Sequence, residues 1–89
     1  MANSKSALKR IRQNEKRRER NRAARTRMRS AVKQVRRALE AGDVEKAEQL
    51  LPEAIRILDV TARKNVVHAN TVARSKSRLI QAVRRAKAS

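Results

Sequence analysis

Apolar residues recur at helical spacing in three stretches of the 89-residue chain. The first stretch begins at Ala24 and ends before Gly42. Its apolar positions are Met28, Val32, Val35 and Leu39, with Ala24, Ala31 and Ala38 beside them. This period is typical of a helix with one core-facing stripe. The pattern predicts a first helix that starts at Ser4 or Ser6, either of which can cap it, and runs to Ala41, where Gly42 supplies a left-handed terminator.

The second stretch predicts a helix with a broad apolar face. Its repeat consists of Val44, Ala47, Leu51, Ile55, Leu58 and Ala62, widened by Leu50, Ala54 and Ile57. A face this broad suits a helix that packs between two others. Asp43 is expected to cap the N-terminus of this helix, and Pro52 predicts either a kink or a break just before it.

The third stretch follows Lys64 and Asn65, and asparagine tolerates the left-handed backbone that a helix end needs. Its apolar stripe consists of Val72, Leu79, Val83 and Ala86. Because both connections are short, successive helices should be antiparallel. The expected fold is therefore all-α: an antiparallel three-helix bundle with a long first helix whose basic N-terminal half projects beyond the bundle.

The N-terminal half of the first helix lacks an apolar stripe. No residue from Arg12 to Arg22 is apolar, so this part gains nothing from packing on a core. We therefore expect a single domain over residues 1–89, in which residues 1–23 form a basic arm and residues 24–89 form the bundle.

Charge is distributed unevenly along the chain. Residues 1–29 contain 12 basic and 2 acidic groups, residues 30–62 contain 5 and 6, and residues 63–89 contain 8 and none. The formal net charge is +17, and such self-repulsion has to be offset by an anionic partner. Nucleic acid is the leading candidate and a membrane surface is the second. Against the membrane, the basic N-terminal half has no apolar face to insert.

Several function classes have no support in the composition. There is no Cys and only one His, which excludes a disulfide framework and the usual zinc sites. No apolar run is long enough to span a membrane, and no signal peptide is recognisable at the N-terminus. These observations predict a cytoplasmic protein. His68 has no carboxylate in the last 27 residues to orient it as a catalytic base, so we expect neither an enzyme nor a cofactor.

The arm indicates which nucleic acid is bound. Arginine outnumbers lysine in it, which favours bidentate contacts with phosphate groups. The chain has no Phe, Tyr or Trp on which unpaired bases could stack, so the target should be structured RNA or a duplex. A histone-like or zipper-type DNA-binding protein is the alternative. The zipper form requires heptads, but steps of seven from Met28 reach Val35 and then Gly42, which ends the helix.

The order of several short motifs resembles one known family. The chain resembles, over essentially its whole length, the bacterial small-subunit ribosomal protein S-twenty (bS20) family. The similar segments are Met1–Ala7, Lys9–Arg18, Asn21–Arg29, Ala41–Asp43, His68–Asn70, Ala73–Ser77 and Leu79. The chain departs from the family where Asn65 stands in place of a common Gly, and where Ala69 stands in place of a Lys. Asn65 is still compatible with a turn, because asparagine tolerates the left-handed backbone that glycine adopts. Ala69 lacks the cation that could contact a phosphate group.

The resemblance implies a structural protein of the small ribosomal subunit that binds 16S ribosomal RNA directly. It implies no small-molecule substrate and no membrane partner, and no homo-oligomer is expected. The arm and the resemblance together predict the following RNA contacts: Asn3, Lys5, Ser6, Lys9, Arg10, Arg12, Gln13, Lys16, Arg17, Arg18, Asn21, Arg22, Arg25, Arg29, His68, Asn70, Arg74, Lys76 and Arg78.

Overall fold

The computed structural model describes residues 4–89, and this part of the chain consists of three α-helices and their connections. Helix α1 spans Lys5–Glu40, α2 spans Val44–Arg63 and α3 spans Ala69–Ala88. Helix α2 packs against both of the others, while α1 and α3 touch each other least. The predicted all-α fold with a long first helix is confirmed.

Capping residues set the ends of α1 and the start of α2. The Ser4 hydroxyl lies 3.4 Å from the backbone nitrogen of Ala7, which makes Ser4 the N-cap of α1. Helix α1 ends before Gly42, whose φ is +77°. The Asp43 carboxylate accepts a hydrogen bond from the backbone nitrogen of Lys46 at 3.1 Å. These three predictions from the sequence are confirmed, since each residue supplies the group or backbone angle that a helix end requires.

The α2–α3 turn repeats the geometry that ends α1. Asn65 adopts a φ of 58°, the backbone nitrogen of Asn65 donates to Ala62, and that of Val66 donates to Thr61. This pair of bonds closes a helix end through a left-handed residue. Helix α3 then begins at Ala69, and His68 caps it.

Pro52 lies inside α2 and does not end it. The predicted break before Pro52 is therefore wrong, and α2 continues through this position. Proline removes one backbone donor, so the carbonyl of Glu48 loses its helical partner. Pro52 is exposed, and water can replace that donor on the solvent side.

The core is thin and contains many small side chains. It consists of Ala31, Val35 and Ala38 from α1, Ala47, Ala54, Leu58 and Thr61 from α2, and Val72, Leu79 and Val83 from α3. Val35, Leu58 and Leu79 are its largest fully buried side chains. Alanine lies at the centre of the α1 stripe, where helices approach closely, while Met28, Val32 and Leu39 lie half-buried at its margin.

The buried part of α1 is confined to its C-terminal half. Its buried side chains lie between Ala31 and Ala38, whereas residues 4–20 are exposed apart from the half-buried Ala7. The described residues measure 67 × 22 × 15 Å, because the N-terminal half of α1 extends past the other two helices.

Candidate nucleic-acid interface

The predicted contacts on the arm fall into three lines along α1. One line lies opposite the core-facing residues and continues towards the C-terminus; this outer line comprises Arg18, Arg22, Arg25 and Arg29, followed by Lys33 and Arg36. Successive members are three or four residues apart, which places them on one face of the helix. All six side chains are exposed.

The other two lines follow the flank and the inner face of the arm. The flank line comprises Lys5, Lys9, Arg12 and Lys16, and the inner line comprises Ser6, Arg10, Gln13, Arg17 and Asn21. The inner line lies on the same side of α1 as the core stripe. Only its C-terminal members, Arg17 and Asn21, come near another helix, at the C-terminal end of α2. The structure therefore places polar and cationic groups along three sides of α1, while the first turns of its outer face expose the apolar Leu8 and Ile11. Asn3, which was also predicted as a contact, lies outside the described residues.

Helix α3 separates its lysines from its arginines. The ammonium group of Lys76 lies 2.8 Å from the Asp59 carboxylate, and that of Lys87 lies 2.7 Å from the Glu48 carboxylate. Both lysines thus bind acids of α2. Arg74 and Arg78 project from the opposite, exposed side of α3. Two predicted contacts therefore face solvent, while the third, Lys76, already has a carboxylate partner.

His68 and Asn70 stand at the start of α3. The Nδ1 atom of His68 accepts a hydrogen bond from the backbone nitrogen of Asn70 at 3.1 Å. His68 thus has a structural role as the helix cap, while its side chain and that of Asn70 remain exposed. Because α3 starts where α2 ends, both residues lie at the same end of the bundle as the arm.

A groove lies between the arm and the α2–α3 turn. It has a volume of about 570 Å³ and is lined by Arg17, Arg20, Asn21, Ala23, Ala24, Arg27, Lys64 and Val66. Lys64 was not among the predicted contacts, and neither were Arg20 and Arg27, although both arginines belong to the basic run. The signal for Lys64 was the short connection at residues 41–43. That connection makes α1 and α2 antiparallel and sets the end of α2 beside residues 20–24 of α1.

One acidic group near this groove is already engaged. The Glu53 carboxylate accepts hydrogen bonds from Arg56 at 2.6 and 3.0 Å, and this bonding lowers the pKa of Glu53 below its usual value. The charge of Arg27 lowers the pKa of Glu53 further, and the same pair raises the pKa of Arg56. Any stabilisation from this exposed pair is therefore present at neutral pH and is lost as the pH falls through the lowered Glu53 pKa.

Other kinds of site have no basis in the described part of the chain. Residues 4–89 contain no group of three His, Cys, Asp or Glu side chains placed to hold a metal ion. No helix in this part of the chain is long and apolar enough to cross a membrane.

Comparison with known proteins places this arrangement in a family. Residues 2–84 match the family model described as Ribosomal protein S20. The small ribosomal subunit protein bS20 of Nitrosomonas eutropha is 48% identical over 84 residues, covering 94% of this chain and 97% of the relative. The bS20 proteins of Burkholderia cenocepacia and Burkholderia ambifaria are 50% identical, covering 94% of this chain and 93% of each relative.

The chain belongs to the bS20 family of ribosomal proteins. The resemblance seen in the short motifs is thereby confirmed. The family consists of structural ribosomal proteins and not of enzymes, in agreement with the expectation for this chain. The comparisons give no support to the histone-like or zipper-type alternative.

Proposed function

We propose that this protein is a structural component of the small ribosomal subunit in the cytoplasm and that it binds 16S ribosomal RNA directly. The observation that carries the proposal is the exposed arm, with cations on its outer, flank and inner lines and no packed core behind it. Bundle helices of ordinary proteins bury one face, but residues 5–20 of α1 bury none. A helix of this kind is explained by an anionic partner that surrounds it.

The mechanism we propose is neutralisation of phosphates where RNA helices come together. The arm carries the three lines, so it can meet phosphate groups from more than one direction. Of the 19 predicted contacts, 14 lie between Asn3 and Arg29, on the arm (residues 1–23) and its continuation. The other five lie between His68 and Arg78, at the start and in the first half of α3. In this division the bundle, residues 24–89, holds the arm and presents Arg74 and Arg78.

The pairing of charges in α3 supports the same mechanism. A protein whose charge served solubility alone would gain nothing by pairing its lysines with acids while its arginines face solvent. Here the α2 acids bind Lys76 and Lys87 and leave the fork-shaped guanidinium groups of Arg74 and Arg78 outward. Arginine forms bidentate contacts with phosphate, so the outward group is the one better suited to RNA.

A competition experiment separates this proposal from the DNA-binding alternative. The full chain would be bound to a 16S rRNA transcript and challenged with duplex DNA at equal phosphate concentration. We expect the RNA complex to persist, because cations held at fixed spacing along a helix would recognise the positions of phosphates in one folded RNA as well as their charge. Equal displacement by DNA and by unlabelled 16S rRNA would contradict the proposal and would indicate binding by charge alone.

A further inference from the structure

The groove between the arm and the α2–α3 turn combines cations from two elements. Arg17, Arg20 and Arg27 come from α1, and Lys64 comes from the C-terminal end of α2. Asn21 adds an amide group that can donate hydrogen bonds. None of the residues that line the groove is acidic.

Internal partners do not explain these charges. Residues 4–89 form three ion pairs, and none of them includes a residue of the groove. Glu53 acts electrostatically on Arg27, but its hydrogen bonds go to Arg56. The other three cations, Arg17, Arg20 and Lys64, therefore repel one another across the groove unless an anion enters it.

The backbone at the end of α2 does not compete with that anion for the ammonium group of Lys64. The carbonyl groups at the end of α2 are occupied, since those of Val60, Ala62 and Thr61 accept hydrogen bonds from the backbone nitrogens of residues 64, 65 and 66. Lys64 is the C-cap of α2 through its backbone N–H, and the residue is exposed. A volume of about 570 Å³ is ample for a phosphate group, since one water occupies about 30 Å³ in the liquid.

We propose that this groove binds a backbone phosphate of RNA, with Lys64 as its ligand from the bundle and Arg17 and Arg20 as its ligands from the arm. The inference rests on the proposed binding of 16S rRNA and adds a site to it. A phosphate held from both sides joins the arm to the bundle. RNA binding would then fix the angle at which the arm leaves the bundle, as well as neutralising charge.

Two adjacent residues provide a matched test. Lys64 lines the groove, whereas Arg63 is an exposed cation that does not, and Gln at either position removes one charge. The affinity of the full chain for 16S rRNA would be measured at 50 and 200 mM salt. One phosphate contact contributes a slope of about 0.9 in log K against log salt. The increase from 50 to 200 mM salt should therefore weaken RNA binding by the wild type about threefold more than RNA binding by Lys64→Gln. Arg63→Gln should behave like the wild type, and Lys64→Arg should restore the slope.

The outcomes distinguish the two proposals. If the wild type binds 16S rRNA and Lys64→Gln keeps the slope of Arg63→Gln, the groove is not a phosphate site although the proposed function stands. If the wild type shows no preference for 16S rRNA, the proposed function fails and the groove proposal fails with it.

A second experiment identifies the source of the phosphate. Backbone amide resonances of Asn21 and Val66 would be followed during titration with inorganic phosphate, and with 16S rRNA at equal phosphate concentration. We expect the shifts of these two resonances to saturate in the titration with RNA and not in the titration with inorganic phosphate. Saturation with inorganic phosphate at the same concentration would assign the groove to free phosphate and overturn the proposal.

Discussion

Gly42 and Asn65 are the described residues that adopt a positive φ, and each follows the end of a helix. Near Gly42 nothing lies within 4 Å of the position that a Cβ atom would occupy. Substitution there should therefore act through backbone conformation alone and not through a steric clash.

Gly42→Ala should lower the free energy of unfolding by about 1 kcal/mol, because alanine disfavours the left-handed region. Gly42→Asn should cost less, since asparagine tolerates that region. Urea denaturation of the two variants and the wild type would measure the difference. If the alanine variant matched the wild type, the turn would not depend on a left-handed residue.

Single residues also show how far the sequence alone predicts the candidate site. The cations of the arm could be predicted because they are dense and no residue from Arg12 to Arg22 is apolar. The pairing of Lys76 with Asp59 could not, because it depends on how α3 lies along α2. Lys64 was missed for the same reason. Its role depends on a neighbour about 40 positions away along the chain, and local composition does not reveal such a contact.

At the scale of the elements, the helices and their ends were predictable from local chemistry. Ser4, Gly42, Asp43 and Asn65 act within one turn of the residues they cap. The exact face that each helix buries was less predictable. Thr61 is buried because its hydroxyl donates to the carbonyl of Ile57 at 2.7 Å, so a polar side chain enters the core without an unsatisfied group.

A comparison of two leucines tests whether the core lies where the structure places it. Leu58 is fully buried in α2, whereas Leu8 is 53% exposed on the arm. Leu58→Ala should lower the free energy of unfolding by about 2–5 kcal/mol, a large share of the stability that so small a core can provide. Leu8→Ala should have little effect, and circular dichroism during thermal melting would compare them. Similar losses from both variants would contradict a core confined to the bundle.

Removal of charge from the arm should separate binding from folding. Replacement of Arg17, Arg18 and Arg22 by alanine should weaken binding to 16S rRNA strongly and leave the melting temperature of the bundle nearly unchanged, since all three side chains are exposed. The matched control replaces Arg37, Lys46 and Arg63, which are also exposed and lie outside the predicted contacts. Equal losses of affinity from both triple variants would show that only total charge matters.

At the scale of the whole molecule, residues 4–89 form an elongated body with the core at one end and the exposed arm at the other. An isolated helix with no buried face is marginal in water. The arm is such a helix, and residues 1–23 carry 9 basic and 2 acidic groups. Its ordering on RNA would consume part of the binding free energy.

Hydrogen exchange should reveal this division. In the free protein, backbone amides of residues 5–23 should exchange quickly, while those of residues 44–62 are protected by the core. Binding to 16S rRNA should slow exchange in the arm. Equal protection of both segments before RNA is added would falsify partner-dependent ordering.

The salt dependence of binding to 16S rRNA tests the central claim most directly. If the arm and α3 neutralise roughly 8 phosphates, a plot of log K against log salt should have a slope of about −6 to −7. The affinity of the full chain would be measured at several salt concentrations with one rRNA transcript. A steep slope in this range would agree with phosphate neutralisation by the three lines of the arm. A slope of about −2 or shallower would contradict it, because so few phosphate contacts could not account for the surface described.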